Sequence, residues 1–331
     1  MEEEFTGRNV LVTGAGGFIG SHLVEALVLR GEHVRAFVHY NSRGEPGLLS
    51  QVSPQILSQV QVISGDLRDL PTLQAAMQSV NTVFHLGALI AIPYSYLHPA
   101  DVMATNVLGT VNVLLAARSA GVRRVVHTST SEVYGTALHE PIDEMHPLQG
   151  QSPYSASKIG ADKAAESFYC AYDLPVVTVR PFNTYGPRQS SRAVIPTIIV
   201  QALTEDAISL GNLDAYRDFT FVSDTVDGFL RASETPGVEG KVYNLGTGSK
   251  IRIGDLANEI IRLVDRQVSV VVDPSRLRPE KSEVRNLISD NSRARTDLGW
   301  SPQVNLQSGL QQTIEWIRNH LMLYEPKRYQ L

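Results

Sequence analysis

Two groups of side chains between His127 and Lys158 have the types and the spacing needed to oxidise an alcohol. Tyr154 and Lys158 are four residues apart in the segment SPYSASK, where a helix would place both on one face. A nearby ammonium favours the phenolate, because an opposite charge lowers the pKa of an acid. Such a tyrosine can take a proton from an alcohol while hydride leaves the same carbon. The pair is a weak pattern when it stands alone, but it indicates alcohol oxidation with a nicotinamide cofactor.

The second group is Thr130, Ser131 and Glu132, which follow the apolar run from Val122 to Val126. The run predicts a buried strand, and polar side chains just beyond such a strand are well placed to meet a ligand. Carboxylates beside cofactor clefts are often functional, which makes Glu132 a candidate base. The alternative is that Glu132 forms an ion pair or a cap near the end of the strand.

A glycine-rich turn near the N-terminus indicates where a dinucleotide would bind. A short apolar run enters GAGGFIG, whose glycines are spaced as GxxGxxG, and a periodic helix follows from Ser21 to Arg30. Such a turn lets the backbone approach a pyrophosphate, while the helix N-terminus offers N–H donors and the positive end of its dipole. Tight packing is the alternative use of these glycines. The residues expected to contact the cofactor here are Gly14, Gly17, Phe18 and Ile19.

The end of the second predicted strand, residues 33–39, suggests which cofactor is bound. An acidic residue at this position would bind the ribose 2′-hydroxyl of NAD, and none is present. The segment offers Asn41, Ser42 and Arg43 instead, and small polar groups with a cation suit a 2′-phosphate. The sequence therefore favours NADP over NAD. The alternative is that Arg43 is a solvated loop residue.

Strands rich in Val, Ile and Leu alternate with helices through the first half of the chain. This pattern predicts an α/β fold with a Rossmann-like, doubly wound parallel sheet. Further strands are expected at 61–64, 83–86 and 175–179, and helices at 99–120 and 154–172. Ligands bind at the carboxyl ends of such strands, so we expect cofactor contacts from Asp66, Leu67, Leu86 and Ala88. Asp66 has an alternative role as the cap of a helix that starts near Leu70.

The character of the chain changes beyond Pro187, where elements become shorter and Gly and Pro more frequent. We predict a dinucleotide-binding domain at residues 1–180, with returning segments near 218–246. Residues 181–331 are predicted to form mainly a smaller, interleaved substrate-binding domain.

The composition is that of an ordinary globular protein, with 331 residues, 43% hydrophobic residues and a net charge of −5. Because no basic block is present, we expect neither nucleic acid nor a membrane as a partner. The N-terminal MEEEFTGRN lacks an apolar signal core, and no apolar run approaches the roughly 20 residues needed to span a bilayer, so we expect a cytoplasmic protein. The single cysteine, Cys170, excludes an internal disulfide and is expected to be a buried, inert thiol. No His or Cys spacing indicates a metal site, so no metal is expected.

Taken together, the motifs resemble those of extended short-chain dehydrogenases/reductases that act on nucleotide sugars. They occur in the family's order as GxxGxxG, TSTSEVYG, YxxxK, RPFNTYGP, RDFTFVSD and a late RPE. The resemblance implies that Tyr154 is the base, that Lys158 binds the nicotinamide ribose and tunes Tyr154, and that Thr130 binds the sugar near O4. It also implies contacts to the diphosphate or nucleotide of the substrate from Asn183, Arg217 and Arg278, and substrate contacts from Arg192 and Val194.

The residues after Thr130 indicate a branch of this family. Thr-Ser-Glu resembles the GDP-mannose-type 4,6-dehydratases, whereas the dTDP-glucose pattern is Thr-Asp-Glu. The strings TSTSEVYGTA, QGQSPYSASK and RPFNTYGPRQS are most similar to N-acetylglucosamine-nucleotide 4,6-dehydratases of the legionaminic acid route. This implies UDP- or GDP-N-acetylglucosamine as substrate, a tightly bound cofactor that is regenerated in each turnover, and a homodimer.

Three other functions remain open at this point. A UDP-sugar 4-epimerase or a UDP-glucuronate decarboxylase would use the same fold and the same Tyr154 and Lys158. A non-catalytic nucleotide-binding protein would be expected to lack Tyr154, Lys158 or Thr130, all of which are present.

Overall fold

A computed structural model describes residues 7–324 of the chain. The outer limits of both predicted domains, together with most of MEEEFTGRN, lie outside the described residues. The strands in chain order are β1 (Asn9–Thr13), β2 (His33–His39), β3 (Gln61–Gly65), β4 (Thr82–His85), β5 (Arg124–Thr128), β6 (Val176–Pro181), β7 (Asn183–Tyr185), β8 (Ala207–Leu210), β9 (Tyr216–Arg217), β10 (Phe219–Phe221), β11 (Val242–Leu245), β12 (Ile251–Arg252), β13 (Ser269–Val272) and β14 (Asn286–Leu287).

Seven of these strands form one parallel sheet in the order β3-β2-β1-β4-β5-β6-β11. The strand order reverses between β1 and β4, and such a reversal opens the crevice in which sheets of this type bind ligands. The predicted Rossmann-like, doubly wound fold is therefore confirmed.

Helices cover both faces of this sheet because successive strand residues point to opposite faces. Val10 and Val12 of β1 belong to one buried apolar cluster, whereas Leu11 between them belongs to another. The helices in chain order are α1 (Phe18–Leu29), α2 (Pro54–Leu57), α3 (Leu70–Ala76), α4 (Ile92–Leu97), α5 (Pro99–Met103), α6 (Gly109–Ala120), α7 (Pro153–Tyr172), α8 (Val194–Thr204), α9 (Val222–Glu234), α10 (Ile253–Val264), α11 (Ser292–Leu298) and α12 (Leu306–Asn319). Helices α1 and α9 contribute to the first cluster, and α3, α6 and α7 to the second.

The strand that leads to the candidate site starts two residues later than predicted. The reason is that Val122 still closes the preceding helix, its N–H donating to Ala117 O at 3.2 Å. Gly121 takes the left-handed conformation there, with φ of 64°, which is a common way for a helix to end. The shift moves the end of β5 to Thr128, directly before the candidate catalytic residues.

The segment predicted as one long helix, residues 99–120, is α5 and α6 joined by the π-helical turn Ala104–Leu108. Asn106 in this turn bonds to the loop after β4, accepting from Leu89 N at 2.7 Å and donating to Leu89 O at 2.9 Å. By length and composition alone this is the one helical segment within residues 7–324 that could cross a membrane. This differs from the expectation that no apolar run is long enough to do so. It packs against the sheet, and core helices share this composition. The homodimer expected from the sequence stays a prediction.

Three small sheets lie in the C-terminal half. Strand β7 pairs with β10, β8 with β13, and β9 lies between β12 and β14. The pairing of β7 with β10 sets Asn183 opposite Phe219, two residues beyond Arg217. The predicted substrate-binding residues Asn183 and Arg217 are thereby brought near each other. The domain division at residue 180 stays a prediction.

The expectation for Cys170 is wrong, because this thiol is exposed. The buried stripe of α7 contains Ala161, Ala165 and Phe168, and Cys170 lies outside that stripe. Within residues 7–324 no three His, Cys, Asp or Glu side chains are grouped so that they could hold a metal ion.

Candidate active site

The turn after β5 presents the first group of candidate residues. Thr130 caps the 3₁₀ turn Ser131–Tyr134, and its Oγ1 accepts a hydrogen bond from Glu132 N at 3.3 Å. Gly135 ends the turn with a positive φ of 62°, and a Cβ there would lie 2.8 Å from Gln151 Oε1. The turn is thus constrained at both ends, and it places Thr130 and Glu132 at the carboxyl end of the sheet.

A capping box starts the helix that carries the second group. Ser152 Oγ accepts from Ser155 N at 3.0 Å, while Ser152 N donates back to Ser155 Oγ at 2.9 Å. Pro153 occupies the first turn, where its missing N–H leaves no helical bond unmade. This start places Tyr154 in the first turn and Lys158 one turn further, with only 7% and 4% of their surfaces exposed.

The structure brings Tyr154 into one cluster with Thr130 and Glu132. Burial raises the pKa of Tyr154 above its ordinary value, a hydrogen bond with Thr130 lowers it, and the nearby charges of Glu132 and Asp162 raise it further. The side chains from the β5 turn and from the start of α7 therefore share one buried site.

The expected effect of Lys158 on the pKa of Tyr154 stays a prediction. Lys158 Nζ donates to Thr128 O at 2.7 Å, and Lys158 is not among the groups that shift the pKa of Tyr154. Burial lowers the pKa of Lys158 to about 8, against the opposing charge of Asp162. Lys158 is bound to the strand backbone, and burial is the largest influence on the pKa of Tyr154.

Glu132 lies beside cations from the C-terminal half. Its Oε1 is 3.7 Å from Arg278 Nη1. Burial lowers the pKa of Arg217, Glu132 raises it, and Arg278 lowers it again, so these three side chains are mutually close. Arg278 Nη1 and Asn183 Oδ1 are both buried and form no hydrogen bond with any of residues 7–324. Buried polar atoms without a hydrogen bond suit a site that binds a polar ligand.

Ser131, Arg192 and Val194 were also predicted to belong to the site, and they lie at different places relative to Glu132. Ser131 is buried in the turn beside Glu132. Arg192 is exposed in the loop before α8, and Val194 begins that helix and packs on the larger apolar cluster. Substrate contacts from Arg192 and Val194 stay predictions.

The glycine-rich turn after β1 fits a nicotinamide dinucleotide. Gly14 has a positive φ of 69°, and a Cβ on it would lie 2.7 Å from Gly87 N, next to Leu86 and Ala88. Gly17 caps α1 without a side-chain hydrogen bond, and the first turn of α1 contains no acidic residue. Open N–H donors and close backbone packing are what a pyrophosphate requires. The contacts expected from Gly14, Gly17, Phe18 and Ile19 therefore suit the local structure.

Hydrogen bonds to the Asn41 side chain shape the loop after β2. Asn41 Oδ1 accepts from the N–H groups of Arg43 and Glu45, at 3.1 and 3.0 Å, so its side chain is engaged in the turn. Ser42 and Arg43 are exposed, and Arg43 Nη1 is 3.7 Å from Glu45 Oε1.

The capping role considered for Asp66 is wrong. Asp69 caps α3 instead, accepting from Thr72 N at 3.4 Å. Asp66 accepts hydrogen bonds from the side chain and the backbone of Arg68, and the side-chain bond lowers the pKa of Asp66 to about 2. Leu67, beside it, is buried. Their contacts with the cofactor stay predictions.

The sequence reasoning missed the group beneath the site. Asp162 accepts hydrogen bonds from Ser129 Oγ at 2.8 Å and Arg180 Nη2 at 2.9 Å, and its Oδ1 is 3.1 Å from His127 Nε2. Asp162 stands four residues after Lys158, on the same face of α7. The spacing from Lys158 could have indicated that Asp162 lies near the site. No sequence pattern indicates the contact between Asp162 and Arg180, because Arg180 lies on a different element.

Comparisons with known proteins agree with this geometry. The family model described as GDP-mannose 4,6 dehydratase matches residues 11–313. The chain belongs to this family. It is an enzyme of the nucleotide-sugar 4,6-dehydratase type, from the extended short-chain dehydrogenase/reductase group that also contains 4-epimerases.

Some relatives of the chain are 4-epimerases and others are 4,6-dehydratases. The chain is 36% identical over 316 residues to a UDP-glucose 4-epimerase of Mycolicibacterium smegmatis, covering 93% of this chain and 98% of the relative. It is 33% identical to a dTDP-glucose 4,6-dehydratase of Streptomyces antibioticus, covering 96% and 95%. The crystal structure of DesIV, a dTDP-glucose 4,6-dehydratase from Streptomyces venezuelae with NAD bound, superposes with a TM-score of 0.85 at 30% identity, covering 97% of this chain and all of DesIV.

The glycine turn yields a test with a matched control. We expect Gly14→Ala to abolish retention of the nicotinamide cofactor and to lower the free energy of unfolding by more than the ~1–2 kcal/mol of left-handed strain, because its Cβ also meets Gly87. Gly31→Ala has the same kind of strain, with φ of 79°, but its Cβ meets nothing within 4 Å. Thermal unfolding and the cofactor content of the purified variants check this. Equal cofactor content in the two variants would contradict the assignment of the turn.

Proposed function

We propose that this enzyme is a 4,6-dehydratase that converts an NDP-N-acetylhexosamine, UDP- or GDP-N-acetylglucosamine, to its 4-keto-6-deoxy product. Glu132 carries the proposal, because it is a carboxylate held beside Thr130 and Tyr154. A dehydratase must remove the C5 proton, whereas a 4-epimerase needs no second base here. The choice of an N-acetylhexosamine rests on the resemblance of the motifs around Glu132, Tyr154 and Asn183 to the N-acetylglucosamine-nucleotide dehydratases.

The first half of the reaction would use Tyr154 and Thr130. Tyr154 would take the proton of the O4 hydroxyl as C4 is oxidised, and Thr130 would hold O4 through a hydrogen bond. When bound, the oxidised nicotinamide would supply a positive charge and the hydride acceptor for C4, and would later return hydride to C6. Lys158, at its place one turn beyond Tyr154, would bind the nicotinamide ribose.

The second half would use Glu132. The C4 ketone withdraws electrons from C5 and acidifies its proton, which Glu132 would remove. Loss of the C6 hydroxyl requires a proton for the leaving oxygen. Ser131 occupies the position where a carboxylic acid would be the obvious donor, so Glu132 would return the proton that it has taken and water would leave. Hydride addition at C6 would be completed by a proton at C5, which Glu132 would pass from solvent, while Tyr154 would release to solvent the proton taken from O4. The sum of the steps is loss of one water molecule, with the cofactor regenerated.

The cations beside Glu132 give the substrate its anchor. Arg278 Nη1 is buried and lacks a hydrogen-bond partner among residues 7–324, and Arg217 is buried close to it. Arginine side chains bind diphosphates with charge-assisted hydrogen bonds. Arg278, Arg217 and Asn183 would therefore hold the diphosphate or the nucleotide, which sets the sugar beneath Glu132 and Tyr154.

We further propose NADP rather than NAD as the preferred cofactor. The support is the lack of an acid after β2 and the exposed Arg43, which Glu45 holds only loosely at 3.7 Å. A 2′-phosphate would compete with Glu45 for the arginine. We expect Arg43→Ala to reduce the fraction of NADP in the nucleotide released on denaturation, with Glu45→Gln as the control that keeps the cation. A release of NAD alone from the unmodified enzyme would contradict this preference.

A 4-epimerase is the second candidate, favoured by the 36% identity to the mycobacterial UDP-glucose 4-epimerase. Product masses separate the possibilities when the enzyme is incubated with UDP- and GDP-N-acetylglucosamine. We expect a product lighter by one water molecule. Epimerisation would leave the mass unchanged, and decarboxylation of UDP-glucuronate would remove carbon dioxide. An unchanged mass with every N-acetylhexosamine nucleotide would refute the dehydratase assignment.

The division of labour between Glu132 and Tyr154 can be tested in a single turnover. We expect Glu132→Gln to reduce the nicotinamide but to form product roughly 100-fold or more slowly, because C4 is oxidised before Glu132 is needed. Tyr154→Phe should retain the cofactor yet fail to reduce it. Nicotinamide absorbance follows the first step and product mass the second. Full product formation by Glu132→Gln would remove its assigned role.

A further inference from the structure

A buried carboxylate beneath the site has no role in the reaction as derived so far. Asp162 is 5% exposed and accepts hydrogen bonds from Ser129 at the end of β5 and from Arg180 on β6. Its other oxygen, Oδ1, lies 3.1 Å from His127 Nε2. Both carboxylate oxygens are therefore occupied, and each of these partners lies near the carboxyl end of a sheet strand.

One branch from Asp162 reaches the far end of the catalytic turn. Arg180, held by Asp162, donates through Nη1 to Tyr134 OH at 2.9 Å. Tyr134 is the last residue of the 3₁₀ turn that carries Glu132, and its hydroxyl donates in turn to Asn244 Oδ1 at 2.7 Å. Ser129 holds the near end, since it directly precedes Thr130. A single carboxylate is thereby connected to both sides of Glu132.

A second branch runs along α7 to the other half of the site. Lys158 stands one turn before Asp162, and its Nζ is bound to Thr128 O. Burial of the ammonium is costly, and the negative charge of Asp162 raises the pKa of Lys158 against that cost. Asp162 remains charged at neutral pH, because the hydrogen bond from His127 and the charges of Arg180 and Lys158 overcome burial and lower its pKa to about 2.

His127 completes the group without adding a charge. Burial lowers its pKa, and its Nδ1 has no hydrogen-bond partner within residues 7–324. Because a carboxylate only accepts hydrogen bonds, Nε2 carries the hydrogen and donates it to Asp162. The group thus contains one anion and two cations, Arg180 and Lys158.

We propose that Asp162 is a positioning residue for the dehydratase reaction, which holds the turn Ser131–Tyr134 and the Lys158 ammonium in their working arrangement. It touches neither substrate nor cofactor, and it acts through Ser129, Arg180 and Lys158. The proposal rests on the proposed roles of Glu132 and Tyr154. Buried ion pairs are otherwise explained by stability alone, so the test must separate the rate of the folded enzyme from the amount that folds.

Asp162→Asn is the direct test, because asparagine keeps the size of the side chain and removes its charge. With the nucleotide sugar that the unmodified enzyme turns over, we expect kcat per folded enzyme to fall roughly 10- to 100-fold, as displaced catalytic groups do. The KM for that sugar should change by less than about threefold, because the diphosphate contacts lie elsewhere. Reduction of the nicotinamide in a single turnover should slow as well.

Asp224→Asn is the matched control. Asp224 is also buried, but it lies on α9 and accepts from Val304 N at 3.0 Å. We expect its loss to lower Tm while leaving kcat per folded enzyme unchanged. If Asp162→Asn behaves like this control, Asp162 has only a structural role and the proposal is overturned. If the unmodified enzyme dehydrates no nucleotide sugar, the proposed function has failed instead.

Tyr134→Phe decides the matter should Asp162→Asn not fold. It keeps the ring and the charge of Asp162, and it removes only the hydroxyl between Arg180 and Asn244. We expect product formation to slow more than nicotinamide reduction, because this branch reaches the turn of Glu132 and not Lys158. Unchanged rates for both steps would overturn the proposal.

Discussion

The hydrogen bond from Lys158 Nζ to Thr128 O joins the first turns of α7 to the carboxyl end of β5, and the arrangement of the site depends on this junction. The strand ends where the catalytic turn starts, and the helix starts where Tyr154 is needed. Neither element could bring Thr130 and Tyr154 together alone, since 23 residues of chain lie between them. The junction also fixes the place of the Lys158 ammonium at the end of β5.

Burial and local charge set the electrostatics of the site, and the net charge of −5 does not. Burial raises the pKa of Tyr154 and lowers those of Lys158 and Arg217, so it favours the uncharged form of each group. A bound ligand of opposite charge would favour the charged form instead. A diphosphate would do so beside the arginines, and the positively charged nicotinamide ring would do so beside Tyr154. In the proposed function, the site would therefore be completed by two ligands of opposite local charge.

The periodicity of the chain predicted the parallel sheet, because strands buried on both faces are continuous in Val, Ile and Leu. The motifs also included Thr130, Arg217 and Arg278, which the structure places near Glu132 and Tyr154, and the roles of these residues stay predictions. Predictions from local spacing failed where burial depends on which face of a helix a residue occupies, or where a contact depends on tertiary packing. Cys170 is exposed because the buried stripe of α7 passes beside it, and Asp69 caps α3 where Asp66 was considered. The contact of Arg180 with Asp162 joins β6 to α7 and has no periodic signature.

Overall similarity does not separate dehydration from epimerisation in this family, since relatives with either activity are about equally similar to the chain, at 36% and 33% identity. The reason is physical. Both reactions begin with oxidation at C4, so the sheet, the glycine turn and the pair of Tyr154 and Lys158 serve either one. The reactions differ after that step, since epimerisation returns hydride to C4, whereas dehydration removes the C5 proton and the C6 hydroxyl and returns hydride to C6. In the proposed function, Glu132 in the turn after β5 is the base that only dehydration needs. The position of Glu132 therefore carries more information about the reaction than the rest of the fold.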